Sequence, residues 1–186
     1  MKNKLLAVSL FAAGLITLSS CDKIANELMR PFDVPVSTLT VSIPIVAAIN
    51  AEANLGSATT SFNLDSAIKA NTANLFSINA VNSIKISAIA VTLQNTDAAN
   101  NLSNFESARI AFNTNKNTTQ TTIGSKAIVD NNSASNSSTT IDITNSPELK
   151  EYLNGSATMT YTLYAKARRI TTHSMPAVIS VTLHVE

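Results

Sequence analysis

The sequence predicts an all-β fold: a two-layer antiparallel β-sandwich with one or two short helices. Apolar and polar residues alternate with period two in several segments, which is typical of strands with one buried face. Polar turns separate these segments at short intervals, which favours a sandwich over units that alternate strands with helices. Only 13% of the residues are charged, and Asn, Ser and Thr fill many polar positions, as in a solvated β-protein. A closed barrel is the alternative architecture.

The first predicted strand begins near Val36. Its apolar positions share one parity: Leu39, Val41, Ile43 and Ile45. Pro44 has no N–H to donate to a β-ladder, so we expect this strand at a sheet edge or with a bulge. A second strand follows the same alternation at Thr60, Phe62 and Leu64. A helical turn over 65–69 is expected after it, with Asp65 as the N-cap.

The middle of the chain predicts three more strands. Between Ser83 and Leu93 the apolar positions change parity, which indicates a β-bulge near Ala88. After a polar loop over 95–104, the next strand alternates again at Phe105, Ala108, Ile110 and Phe112. A third, more weakly patterned strand is expected over 122–129.

A short strand and a helix come next, after a polar, low-complexity turn. Ile141 and Ile143 mark the strand. Ser146 as N-cap and Pro147 at the first helical position predict the start of a helix, and Asn154-Gly155 predicts its end.

Two strongly alternating strands close the chain. Their apolar positions are Met159, Tyr161, Leu163 and Ala165 in one, and Ile179, Val181, Leu183 and Val185 in the other. A basic loop over 166–175 joins them, so we expect a long hairpin. The chain has no Trp and one Cys, so the Cys…Trp…Cys core of antibody domains is absent. The predicted sandwich is therefore immunoglobulin-like in architecture alone.

The N-terminus has a basic head at Lys2 and Lys4, an apolar run over 5–18, and small residues before Cys21. The run is shorter than the roughly 20 residues of a transmembrane helix, so these features predict a secretory signal helix. The sequence Leu-Ser-Ser-Cys at 18–21 resembles the lipobox of bacterial lipoproteins. That resemblance implies cleavage before Cys21 and attachment of lipid to it. An ordinary signal peptide with a chance cysteine and an N-terminal membrane anchor are the alternatives.

Three segments follow from this reading: a signal peptide over 1–20, a lipidated tether over 21–35, and a β-sandwich domain over 36–186. A lone cysteine in an exported chain cannot form an internal disulfide, and lipidation accounts for its presence. Several acyl chains make a stable anchor, because each buried methylene contributes about 0.8 kcal/mol.

The order of the predicted strands also resembles a group of bacterial proteins. Asn104-Phe105 precedes the strand at 108–112, and Ile141-Asp142-Ile143 leads into 149–153. This pattern resembles small envelope lipoproteins of Bacteroidetes-type bacteria, which combine a lipobox signal with an immunoglobulin-like β-sandwich. The resemblance implies an envelope-anchored domain and favours the outer membrane over the inner one. It implies no catalytic or binding residue.

Several classes of chemistry lack support in the sequence. The net charge of +1 gives no electrostatic case for nucleic-acid binding. His173 and His184 have no His or Cys partner at metal-ligand spacing, so we expect no metal and no cofactor. Ser66 and Lys69 form an isolated Ser-x-x-Lys match without its companion motifs, and no Gly-x-Ser-x-Gly elbow occurs. We therefore expect no enzymatic activity.

Two further features suggest contacts or modification. Lys166, Arg168 and Arg169 are candidates for contact with an anionic glycan or lipid headgroup, although a solvated hairpin tip has the same pattern. Asp65-Ser66-Ala67 resembles the O-glycosylation acceptor of Bacteroidetes-type bacteria, with Ser66 as the attachment point. A three-residue match also arises by chance.

The expected function is that of a lipid-anchored, non-catalytic binding or assembly module of the cell envelope. Aromatic residues make up only 5% of the chain, which favours a protein partner over a glycan, for instance through an edge strand. The oligomeric state stays open. The alternative is an envelope hydrolase that acts on glycans or peptides with a site built from distant loops. Two converging carboxylates in a pocket, or a serine against His173, would favour the hydrolase.

Overall fold

The computed structural model describes residues 30–131, 136–153 and 156–186. Within these residues, nine strands form a two-layer antiparallel β-sandwich, as predicted. The strands are β1 (Phe32–Pro35), β2 (Leu39–Ile43), β3 (Glu52–Asn63), β4 (Ile84–Leu93), β5 (Phe105–Thr114), β6 (Thr121–Ala127), β7 (Ser138–Ile143), β8 (Ser156–Ala167) and β9 (Met175–Val185). Two helices, α1 (Leu64–Asn71) and α2 (Lys150–Leu153), accompany them. The predicted signal helix and Cys21 lie outside the described residues, and no helix within them has the length and apolar character of a membrane span.

The two layers share strand β7. In the first layer, β9 lies between β4 and an edge formed by β1 and β2, and the start of β7 pairs with the other side of β4. In the second layer the order is β6, β5, β8, β3, and the end of β7 pairs with β6 through Gly124 and Ser125. A Cβ on Gly124 would lie 2.5 Å from the carbonyl oxygen of Asp142. The crossing of β7 between layers therefore depends on a residue without a side chain.

On the opposite side of the sandwich, β2 and β3 lie close together without a ladder between them among the described residues. The approach occurs at Gly56, where a bulge in β3 places φ at +125°. A Cβ there would lie 2.8 Å from the Cγ1 atom of Val41. Because this side is closed by packing and not by hydrogen bonds, the fold is a sandwich and not a closed barrel.

The core consists of the side chains at every second position of the strands, which point between the two layers. In β9 every second residue from Met175 to Val185 is at most 2% exposed, and β8 contributes its own inward set in the same way. Tyr161 of β8 is fully buried, with its ring centroid 5.2 Å from that of Phe112. Burial of each large apolar side chain contributes roughly 1.5–3 kcal/mol before entropy is counted. The period-two alternation of apolar residues therefore accounts both for the formation of the strands and for which side of each strand is buried.

The edge of the first layer starts earlier than the sequence predicts. The predicted tether reaches Pro35, but Phe32–Pro35 forms β1 and pairs with β9, and Val34 is buried. The first predicted strand, β2, lies at the same edge as expected and ends at Ile43, just before Pro44. Ile45, expected on the buried face, is 58% exposed because the ladder has already ended.

The predicted hairpin of the last two strands is wrong. β8 pairs with β3 and β5, whereas β9 pairs with β1, β2 and β4. The loop between them crosses from one layer to the other. Both strands lie inside their sheets with partners on both sides, which leaves neither free to pair with the other.

The bulge of β4 is confirmed, and two helix starts differ from the prediction. The register of β4 against β9 shifts between Ile86 and Ala88. Asn63, not Asp65, caps α1 by accepting a hydrogen bond from the Ser66 N–H at 3.0 Å. Helix α2 begins only at Lys150.

Ser146 does not cap α2, because it pairs with the outer edge of β4. Its Oγ accepts from the Ile86 N–H at 2.7 Å, and a carboxylate oxygen of Glu148 accepts from the Ile84 N–H at 2.8 Å. Strand β7 pairs with β4 only from Ile89 onwards. At Ile84 and Ile86, the side chains of Glu148 and Ser146 accept the hydrogen bonds that a neighbouring strand would otherwise accept. Backbone donors at this edge are therefore satisfied by a non-helical segment, which delays the helix.

The strands define two ends of the sandwich. Ile43 of β2 lies opposite Met175, and Phe32 of β1 lies opposite Val185, so the chain enters at the end of β9. We call the Met175 end apical and the Val185 end basal; β9 separates them by about 34 Å at 3.4 Å per residue. The loops 44–51, 94–104 and 168–174 and the segment 128–131 after β6 lie at the apical end. Arg30, both helices and Glu186 lie at the basal end.

Candidate functional site

The apical end exposes apolar side chains. Among the described residues, five large hydrophobic side chains are exposed, and four of them belong to the apical loops: Ile45, Ile49, Val129 and Ile170. Their exposed fractions run from 46% for Ile49 to 80% for Val129. The fifth, Leu75, lies at the basal end. Exposed apolar residues gathered at one end of a domain are typical of interaction sites.

Two of the apical loops are tied together by reciprocal bonds. The Val46 N–H donates to the Thr171 Oγ1 at 2.8 Å, and the Thr171 N–H donates to the Val46 carbonyl oxygen at 3.0 Å. The Asn50 N–H also donates to the Ala167 carbonyl oxygen at 2.9 Å. This pairing brings Ile45 and Ile170, the neighbours of the bonded residues, to the same rim.

Buried asparagines hold the loop 94–104 against the loop 168–174. Asn104 is 2% exposed; its Nδ2 donates to the carbonyl oxygens of Ala99 and Ile170 at 2.9 and 2.8 Å. Its Oδ1 accepts from the Asn101 N–H at 2.9 Å. The Oδ1 of Asn100, which is 1% exposed, accepts from the Thr172 N–H at 2.7 Å. The Nδ2 of Asn100 donates to the side chains of Asp97 and Thr172, so both buried amides are satisfied by groups of these two loops, as buried polar groups require.

The basic residues predicted as ligand contacts join this framework. Arg168 donates to the carbonyl oxygens of Ser103, Phe105 and Ile128 at 3.0–3.1 Å. Arg169 forms a bidentate ion pair with Asp130, next to Val129. Lys166 pairs with Glu106 at 2.8 Å.

All three cations thus bind groups of the domain itself, and carboxylates offset the charge of Lys166 and Arg169. Their contact with an external anion stays a prediction. Arg168 and Arg169 connect the loop 168–174 to neighbouring apical segments, whereas Lys166 of β8 pairs with Glu106 of β5.

Both histidines lie near carboxylates. The His173 Nε2 lies 3.1 Å from the carbonyl oxygen of Asn95, and its Nδ1 lies 3.8 Å from a carboxylate oxygen of Asp97. The side chain of Asn100 and then the backbone N–H of Ala99 donate to Asp97 and lower the pKa of its carboxyl. The His184 Nδ1 lies 2.7 Å from a carboxylate oxygen of Asp33 on β1. Within the described residues, no three His, Cys, Asp or Glu side chains converge as metal ligands do.

Ser66 lies exposed in the first turn of α1, at the basal end. The neighbouring Asp65 pairs with Lys69 at 2.6 Å and accepts from the Ile78 N–H at 3.0 Å. These two contacts, Lys69 first, lower the pKa of the Asp65 carboxyl. The Ser66 hydroxyl is accessible for modification, and its glycosylation stays a prediction.

Apart from Arg168 and Arg169, the residues that build the apical site were not identified from the sequence. The loop 94–104 reads only as a polar turn, because nothing local shows that its amides bond to a loop more than sixty residues away. For the exposed Ile45 and Ile49, the sequence gives a weak indication. The stretch from Pro44 to Ile49 is apolar but follows no period, which is unusual for a solvated loop.

Comparison with known proteins adds two distant structural similarities. No family model matches the chain, and no curated protein matches it. Among solved structures, the chain is similar to protein chains in the structures of two strains of infectious bursal disease virus. The Gx strain matches with a TM-score of 0.33 and 9% identity, and the Gt strain with 0.31 and 12%; each match covers 84% of this chain. The chain spans about a third of the length of those chains, 32% and 33%.

Proposed function

We propose that the protein is a lipid-anchored protein of the cell envelope, held at the outer membrane, and that its sandwich is a non-catalytic binding module. Its partner is a protein that contacts the apical loops. The observation that carries this proposal is the grouping of Ile45, Ile49, Val129 and Ile170 at the apical end.

The direction of the chain supports the placement of this surface. The described chain starts at Arg30 and enters the sandwich through β1 at the basal end. A lipid on Cys21 would lie only a short tether away from that end. The apical loops would then project away from the membrane, where a partner can reach them.

The rigidity of the apical loops supports a binding role. Asn100, Asn104 and Arg168 fix these loops through side-chain bonds to backbone atoms. Loops held in one conformation lose little entropy on association, so more of the contact energy appears as affinity. Exposed apolar side chains that lie at one end of a domain support a contact with a protein partner.

The surface is tested by site-specific photocrosslinking of the full-length protein in its native envelope. A photoreactive residue at Ile49 should give a discrete protein adduct, and the same probe at Leu75 should not. Ile170→Asp should weaken the Ile49 adduct tenfold or more, because burial of one isoleucine contributes roughly 1.5–3 kcal/mol. Leu75→Asp is the matched control. Equal adducts from both probes, or an adduct that survives Ile170→Asp, would refute the apical surface.

The anchor is tested separately by intact-mass spectrometry of the protein from its native membrane. We expect a species that begins at Cys21 and carries added acyl mass, and we expect this species to be lost in Cys21→Ala. A chain that retains residues 1–20, or that begins at Cys21 without lipid, would refute the anchor. Residual mass on the peptide that contains Ser66 would reveal a glycan there.

A further inference from the structure

A small pocket lies at the basal end, far from the apical loops. It opens between the turn that joins β5 to β6 and the segment 146–153, and its volume is about 60 Å³. It is lined by Phe112, Asn113, Thr114, Asn117, Thr119, Thr121, Pro147 and Tyr152. No charged side chain is among these lining residues, so the pocket suits a neutral ligand.

The apolar walls of the pocket are held in place by the core. Phe112 is 4% exposed and packs against the buried ring of Tyr161. Pro147 and Tyr152 flank Leu149, which is fully buried and whose N–H donates to the Ile84 carbonyl oxygen at 2.8 Å. The apolar wall is therefore formed before any ligand arrives.

The polar side of the pocket has hydrogen-bonding capacity to spare. Thr114 is buried and shapes the turn by accepting from the Lys116 and Asn117 N–H groups at 3.2 and 2.9 Å. In contrast, the Asn113 amide, the Thr121 hydroxyl and the Tyr152 hydroxyl bond to no other protein group in the part of the chain that the structure describes. These groups are available to a ligand as donors and acceptors.

The size of the pocket limits what enters it. One water needs about 10–15 Å³ of such volume, so the pocket has room for roughly four to six non-hydrogen atoms. A whole sugar ring is larger than this. An acetamido group has four such atoms, with a methyl group that suits Phe112 and Pro147 and an amide that suits Asn113 and Asn117.

We propose that the basal pocket binds the acetamido group of an N-acetylated sugar. The methyl group packs against Phe112 and Pro147, and the amide exchanges hydrogen bonds with the asparagine and threonine side chains of the rim. The pyranose ring stays outside and lies against Tyr152. This is a second binding site, with a ligand chemistry different from that of the apical surface.

The proposal is tested by NMR titration of the ¹⁵N-labelled full-length chain in detergent. N-acetylglucosamine should give saturable amide shifts confined to the β5–β6 turn and the segment 146–153. Glucose at the same concentrations should shift these amides at least tenfold less, because it lacks the acetamido group. Equal shifts from both sugars, or shifts elsewhere only, would overturn the proposal. Tighter binding of an acetyl-lysine peptide than of the sugar would assign the pocket to acetylated protein.

Variants identify the residues that bind. Tyr152→Ala and Asn113→Ala should each weaken N-acetylglucosamine binding tenfold or more. Tyr164→Ala is the matched control, since Tyr164 lies on the outer sheet face and outside the pocket. The Asn113 side chain makes no hydrogen bond to any of the residues that the structure describes, so Asn113→Ala should fold normally even if Tyr152→Ala does not. Retention of binding in a folded Asn113→Ala protein would refute the assignment of the amide contact. Intact apical crosslinks in these variants would show that the two sites are independent.

Discussion

The hydrogen bonds of the buried Asn104 side chain allow a quantitative prediction about the stability of the apical loops. Asn104→Ala removes three hydrogen bonds: one from the Asn101 N–H and two to the carbonyl oxygens of Ala99 and Ile170. Water has little access to replace them, because the side chain is 2% exposed. At about 1 kcal/mol for each bond, the free energy of unfolding should fall by about 3 kcal/mol.

A charged substitution at the same position should cost more. In Asn104→Asp, a carboxylate would face the two carbonyl oxygens that now accept from Nδ2, and both donated hydrogen bonds would be lost. The loss should therefore exceed that of Asn104→Ala, although the side-chain volume hardly changes.

These losses are measured by urea unfolding of the full-length chain, followed by far-UV circular dichroism. A loss of 3 kcal/mol corresponds to a Tm lower by about 6–12 °C for a domain of this size. Asn113→Ala is the control, since the side chain of this half-buried asparagine has no hydrogen-bond partner among the described residues, and its effect should stay within about 0.5 kcal/mol. If Asn104→Ala costs no more than this control, the amide network does not support the apical loops.

Three further predictions concern the closure of the layers and the response to pH. Gly124→Ala should lower the free energy of unfolding by about 1–3 kcal/mol, because the new Cβ would lie 2.5 Å from the Asp142 carbonyl oxygen; Ser125→Ala is the control in the same urea assay. Burial raises the pKa of Glu148, but hydrogen bonds from a hydroxyl and two backbone N–H groups outweigh it and leave the pKa below its usual value. Its stabilisation is therefore present above about pH 4.3 and lost as the pH falls further, so the Tm difference between wild type and Glu148→Gln should shrink in acid. Burial raises the pKa of Tyr161, so the stabilisation by its neutral side chain is present below about pH 10 and lost as the pH rises. The Tm of Tyr161→Phe, relative to that of the wild type, should therefore be higher in alkali than at neutral pH.

The alternation of the sequence predicts which faces are buried but not which strands pair. The inward positions of β8 and β9 follow directly from their period of two. Their assignment to different layers does not, because period-two alternation is the same for a hairpin and for a crossover. Strand β1 was missed because Pro31 and Pro35 flank a segment too short to show a period.

The candidate sites depend on contacts that are remote in sequence. Asn104 bonds to Ile170, and the basal pocket brings Phe112 and Tyr152 together. Single residues of these kinds are common in any loop, and only the folded topology makes them neighbours. The cap of α1 illustrates the same limit locally, since Asn63 and Asp65 are equally good cap residues by type.

The edge strand that leads into the sandwich also determines how the domain would carry mechanical load. β1 and β2 together run antiparallel to β9 from the basal to the apical end. Tension between the chain ahead of Arg30 and the apical loops would act along these strands. Their ladder hydrogen bonds lie across that direction, so they would resist in shear, all at once, and would not unzip one by one. If the proposed anchor and an apical partner load the domain in this way, it would resist stretching along the axis from the basal to the apical end.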